Sequence, residues 1–138
     1  MRITADTNTV ISALLWRGNP RRILDAARDG IIELYTTNEL LAELEGVLSR
    51  SRFTRHLEAA GVNVRDLVYG YAALADLVES ATIEAVVLRD PDDDAVIACA
   101  VAAESDAIVT GDDDLLSLVQ YGAIRMLSAA QVVAELDL

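Results

Sequence analysis

Short runs of mostly apolar residues alternate along this chain with longer stretches whose apolar positions recur at helical spacing. The short runs are Arg2 to Ala5, Ile31 to Tyr35, Ala85 to Leu88, Ala107 to Val109 and Ala123 to Leu127, and they predict five strands. Between them, Val10, Ile11, Leu14 and Leu15 make one face of a helix over Thr7 to Trp16, which Gly18, Asn19 and Pro20 break. A second helix starts at Pro20, a favoured first helical position, covers Arg21 to Asp29 and stops at Gly30. Thr36 and Glu39 stand at capping-box spacing ahead of a third helix with the apolar stripe Leu40, Leu41, Leu44, Val47 and Leu48. After a break at Gly61 to Asn63, a helix is expected from Val64 to about Glu79. Ala95 to Ala103 is a nine-residue run with no charged side chain and reads as a core helix. A short helix near Leu115 and a last one from Ser128 to Leu136 complete the pattern.

Strands alternating with helices imply an α/β fold around a parallel sheet, in which ligands bind outside the carboxyl ends of the strands. Asp6 follows the first strand, and Asp112, Asp113 and Asp114 follow the fourth after Thr110 and Gly111. Asp92, Asp93 and Asp94 sit just ahead of the nine-residue apolar run, so three separated acidic positions converge on one crevice. Two glutamates flank the stripe of the third helix, Glu43 about 100° to one side and Glu45 about 100° to the other, and periodicity does not choose between them. Two carboxylates about 4 Å apart repel by roughly 4 kcal/mol at an effective dielectric near 20. A group of three or four therefore takes up protons or holds a cation. Oxygen ligands, in a chain with one His and one Cys, suit Mg²⁺ or Mn²⁺ and argue against Zn²⁺.

Composition narrows the picture. With 138 residues the chain is expected to be one domain, and 11 positive against 23 negative residues give a net charge of −12. Every positive residue is Arg. Such a surface repels nucleic acid in general, so a polyanionic substrate has to be held by the metal and by a local group of Arg. Cys99, alone and inside the apolar run, makes no intramolecular disulfide and reads as a small buried hydrophobe, which fits a reducing compartment. The opening MRITADTNTV contains no leader-like apolar run and no stretch is long enough to span a bilayer, so a cytoplasmic protein with no membrane contact is expected. A hydrophobic fraction of 53% and a mean hydropathy of +0.31 favour a homo-oligomer, taken as a dimer.

Asp6-Thr7-Asn8 after the first strand, Glu43 in the third helix, Asp94 at the head of the Ala-rich helix and Thr110-Gly111-Asp112-Asp113-Asp114-Leu115 after the fourth strand resemble the PIN-domain nucleases. The order and spacing are similar over essentially the whole chain, and the likeness is strongest to VapC-like toxins of toxin-antitoxin pairs. The resemblance implies a five-stranded parallel sheet flanked by helices on both faces and metal-dependent cleavage of RNA. It puts the acidic ligands of Mg²⁺ or Mn²⁺ on Asp6, Glu43, Asp94 and Asp112, with Asp114 as an auxiliary acid and Asn8 and Thr110 as supporting polar residues. Asp92, Asp93 and Asp113 are spare carboxylates by which the chain departs from the family's pattern. Arg17, Arg21, Arg22, Arg50, Arg52 and Arg55 are the candidates for guiding the RNA backbone. A toxin of this kind is held by an antitoxin protein, and a basic partner segment suits a −12 chain.

Each feature also has a plainer use. Acids at a helix start cap it and favour its dipole, and a glutamate such as Glu43 is most often solvated. His56 reads as an exposed polar residue, and Trp16 as packing more readily than as a base-stacking platform. Two rival functions are a phosphatase or phosphotransfer domain, which needs a Lys that this chain lacks, and a catalytically silent module of the same fold that binds metal or protein. An EF-hand is excluded, because Val101 stands where its twelfth-position Glu belongs.

Overall fold

The computed structural model describes residues 1–84 and 91–138. Its strands are β1 (Arg2–Ala5), β2 (Glu33–Thr36), β3 (Asp76–Leu77), β4 (Ala107–Val109), β5 (Gln120–Tyr121) and β6 (Ile124–Leu127). Its helices are α1 (Thr7–Leu15), α2 (Asn19–Arg28), α3 (Asn38–Leu48), α4 (Thr54–Ala60), α5 (Val64–Leu74), α6 (Pro91–Ala102), α7 (Asp113–Ser117) and α8 (Ala129–Leu136), with a 3-10 turn at Ser51–Phe53. The sheet order is β3-β2-β1-β4-β6-β5, and all neighbours are parallel except the β5–β6 pair.

The period of two along the central strands sorts side chains between two apolar layers. Ile3, Ala107, Val109 and Leu127 face a cluster with Val10, Ile11, Leu24, Leu44, Leu48 and Val132, drawn from α1, α2, α3 and α8. Ile108 and Met126 face the other side, against Val96, Ile97, Cys99 and Ala100 of α6 and Leu115 of α7. Thr4 also points there, fully buried, with its hydroxyl 2.9 Å from Ser105 Oγ and 3.8 Å from Cys99 Sγ. Burial pushes the Cys99 thiol up to about 11, so at neutral pH it is the small hydrophobe its surroundings require.

Four expectations change. The sheet is mixed rather than wholly parallel, because Gly122 (φ 58°) and Ala123 turn the chain so that Tyr121 pairs with Ile124 in a hairpin. Two residues, Gln120 and Tyr121, are too few to show as a strand in a hydropathy pattern. The third strand is Asp76–Leu77, where the fourth helix of the pattern was expected to continue. Ala75 is extended and the next two residues pair with Tyr35 and Thr36, so ladder bonds to β2 replace further helical turns. The strand expected over 85–88 lies outside the described residues. The cap of α3 is Thr37, whose hydroxyl accepts from Leu40 N at 3.2 Å, because Thr36 is taken into β2 and buried. Finally α6 opens at Pro91, so the acids ahead of the apolar run belong to its first turn rather than preceding it.

Trp16 is 46% exposed and is packed only in part. Its ring lies 6.3 Å from Phe53 and 5.4 Å from His56, and His56 is half-buried, with Nε2 3.2 Å from Leu15 O. One residue sits against its own preference: Val119 has φ 63° and is 68% exposed, so its branched side chain adds little packing at a left-handed position. Replacing it with Asn should raise stability by up to about 1 kcal/mol. By contrast, Ile97→Ala in the fully buried α6 seam should lose about 2–5 kcal/mol. Urea denaturation of the two variants beside the parent protein reads both.

Candidate metal and active site

The carboxyl ends of β1 and β4 lie side by side, and Asp6 N donates to Val109 O at 3.1 Å to bind the two ends together. Asp6 is the N-cap of α1: its Oδ1 accepts from Thr9 N at 2.9 Å. Its Oδ2 accepts the Thr110 hydroxyl. Thr110 is buried after β4, and its Oγ1 also accepts from Asp112 N at 2.9 Å. One hydroxyl thus joins the loop carrying Asp112 to the carboxylate of Asp6. Asp112 in turn caps α7, with Oδ1 accepting from Asp114 N at 2.8 Å and Leu115 N at 3.3 Å.

Across from these ends, α3 supplies Glu43 and α6 supplies Asp93. Together Asp6, Thr7, Asn8, Glu43, Asp93, Val96 and Asp112 line a pocket of about 50 Å³. Asp6 and Asp93 are only 7% and 6% exposed, so carboxylates stand here largely out of water. Asp6, Asp93 and Asp112 each sit at a helix N-terminus, where the dipole favours negative charge by about 0.3–1 kcal/mol each. Bringing two carboxylates to about 4 Å costs roughly 4 kcal/mol at an effective dielectric near 20. At such a spacing helix ends would not offset the repulsion, whereas a divalent cation would.

The donor set fits such an ion in kind: oxygen ligands only, from four separate elements, suit Mg²⁺ or Mn²⁺. Among the described residues no three acids already form a compact metal-holding group. The acids line a common pocket without constituting a ready-made cage.

Not every expected residue is found there. Glu43 lines the pocket, whereas Glu45 is exposed on another side of α3. Glu39 is directed elsewhere: its own backbone amide, then the Ser80 hydroxyl at 3.1 Å, hold its carboxyl below the usual range. On α6 the pocket residue is Asp93, and Asp94 is not part of the lining. Asp93 stands three and four residues ahead of Val96 and Ile97, both buried, whereas Asp94 is rotated about 100° away. That stripe is the signal for Asp93, but an apolar run with no polar face gave it no phase. Asp114 is exposed and outside the pocket lining, while Asn8 is exposed at its rim.

None of the six candidate Arg residues lines the pocket. Arg21 has a structural use, donating from Nη1 to Ala13 O and Leu14 O at 3.2 and 3.4 Å and so closing the end of α1. Arg22 borders a cavity with Asp25, Asp29 and Asp137, and Arg52 lies 4.8 Å above the Phe53 ring. Arg17, Arg50 and Arg55 are exposed. A cavity of about 350 Å³ adjoins the acid pocket through their shared Asn8 and runs past Ser12, Asn19, Thr110 and Ser128, with no charged residue in its lining.

A family model described as PIN domain matches residues 2–114. A search of curated proteins finds no match. The matched span contains all four pocket acids, Asp6 and Asp112 at the strand ends and Glu43 and Asp93 on helices.

Thr110→Val removes the shared hydroxyl and should cost about 1–3 kcal/mol, because Asp6 and the Asp112 amide each lose a partner. Thr110→Ser should stay close to the parent protein in the same denaturation experiment.

Proposed function

Since the chain belongs to the PIN-domain family, whose members are generally nucleases that use divalent metal ions, we propose that it is a Mg²⁺- or Mn²⁺-dependent endoribonuclease. The observation that carries this reading is the pocket lined by Asp6, Glu43, Asp93 and Asp112 at the carboxyl ends of β1 and β4. Asp93 takes the role that the resemblance assigned to Asp94, because Asp93 is the residue in the pocket.

Bound there, the divalent ion supplies Lewis-acid polarisation of the phosphodiester and a lowered pKa for water. Asp6 and Asp112 would be among the residues that hold the ion, and the Thr110 hydroxyl joins the loop of Asp112 to the Asp6 carboxylate. Glu43 and Asp93, which line the same pocket, would complete the ligand set and orient water. Water adds in line to phosphorus, the bond to the 3′ oxygen breaks, and that oxygen leaves with a proton, giving 5′-phosphate and 3′-hydroxyl ends. The uncharged cavity beyond Asn8 is the path of least repulsion for the flanking strand on a chain of net charge −12. Exposed Arg17, Arg50 and Arg55 remain free to meet more distant phosphates.

The same reading extends to a toxin restrained by a basic antitoxin segment, to a cytoplasmic setting and to a homodimer. Among the described residues no helix is long and apolar enough to cross a membrane. A silent binding module of the same fold is the competing reading. It is favoured by the lack of a ready-made group of three acids among the described residues.

End-labelled single-stranded RNA and matched DNA, incubated with EDTA, Mg²⁺ or Mn²⁺, separate the two. Metal-dependent RNA cutting with 5′-phosphate ends is expected. Asp6→Asn and Asp93→Asn should each lower it by roughly 100-fold or more, beyond the 10–100-fold typical of residues that only support metal ligands. Asp94→Asn should lose far less, and equal losses at Asp93 and Asp94 would return the assignment to Asp94. No cutting of any RNA offered, with metal binding intact, would favour the silent module.

A further inference from the structure

Beside the four acids, the pocket has a polar wall that the proposed chemistry leaves unused. Thr7, the first residue of α1, is 7% exposed and lines the pocket between Asp6 and Asn8. Its Oγ1 is buried and has no hydrogen-bond partner among the described residues. Elsewhere in this core, threonine hydroxyls are used: Thr4 meets Ser105, Thr37 caps α3 and Thr110 binds Asp6. The buried Tyr71 hydroxyl also lacks a partner among the described residues, but it borders a separate cavity lined by Leu14, Leu24, Leu67, Arg28 and Asp66, which shares no residue with the acid pocket.

A buried hydroxyl without a partner is a net cost to folding, and a valine of nearly the same shape would avoid it. Keeping threonine therefore calls for a partner that arrives from outside the chain. In this pocket the arriving chemistry is a hydrated divalent cation, since Mg²⁺ retains several of its waters when held by carboxylates.

We propose, resting on the metal-site reading above, that Thr7 is a positioning residue whose hydroxyl receives a hydrogen bond from a water in the cation's hydration shell. Coordination makes such a water a strong donor, and the hydroxyl oxygen is a neutral acceptor set among anions. Thr7 thus orders the hydration shell without adding to the negative charge. Asp6 fixes its place, since capping of α1 through Thr9 N holds the first turn that carries Thr7.

The test uses the full chain with Thr7→Val and Thr7→Ser, measuring the melting temperature without metal and Mn²⁺ affinity by calorimetry, beside RNA cleavage. Thr7→Val should raise the metal-free melting temperature by about 2–5 °C, because an unsatisfied hydroxyl is gone. It should also weaken Mn²⁺ binding by about 10-fold or more, as loss of a supporting group does elsewhere. Thr7→Ser should restore Mn²⁺ affinity to near the parent value. Opposite signs for stability and affinity are the signature, since a packing residue would lower the first and leave the second. Parent-like Mn²⁺ affinity in Thr7→Val would overturn the role of Thr7 while leaving the metal site standing. Absence of Mn²⁺ binding in the parent protein would overturn the metal reading and Thr7 with it. Mn²⁺ binding by the parent without RNA cleavage would sink the nuclease assignment alone, and the affinities would still decide Thr7.

Discussion

One hydroxyl ties the functional end of this molecule together. Thr110 Oγ1 donates to Asp6 and accepts from the Asp112 amide, so the acids after β1 and β4 are held by a single buried group. The sheet makes this possible, because β1 and β4 are parallel neighbours and deliver their carboxyl ends to the same edge. Everything that α3 and α6 add is added to that fixed pair.

The arrangement balances two opposing demands. Helix N-termini make acids locally comfortable, and three of the four pocket acids sit at such ends. Their contribution remains smaller than the repulsion of carboxylates at ligand spacing, so the pocket is suited to a cation without being closed around one. The cavity beside it has no charged residue in its lining, although the chain as a whole carries a net charge of −12. Arg residues, the obvious candidates from composition, are spent partly on structure, as Arg21 at the end of α1 and Arg52 over Phe53 illustrate.

The α6 helix shows how one stretch serves the fold and the site together. Its uncharged run packs against β1, β2 and β4 through Val96, Ile97 and Cys99, and its first turn carries Asp93 into the pocket. Pro91 sets where that turn begins. A shift of one residue would exchange Asp93 for Asp94 at the pocket, so these two neighbours are not equivalent there.

Local sequence determined most of the elements by itself. Strands β1 and β4 follow from short apolar runs ended by Asp6 and by Thr110-Gly111, and α8 from its Ser128 cap, because backbone propensity and turn chemistry act over a few residues. The gathering of Asp6, Asp112 and one acid of α6 at one crevice was legible too, since a parallel sheet sends strand ends to a common edge. Tertiary structure alone decided the rest. Asp76–Leu77 became a strand because β2 offered an edge, and Thr36 left the helix cap for that ladder. Asp93 faces the pocket instead of Asp94 because a helix apolar all round carries no phase until its neighbours choose a face.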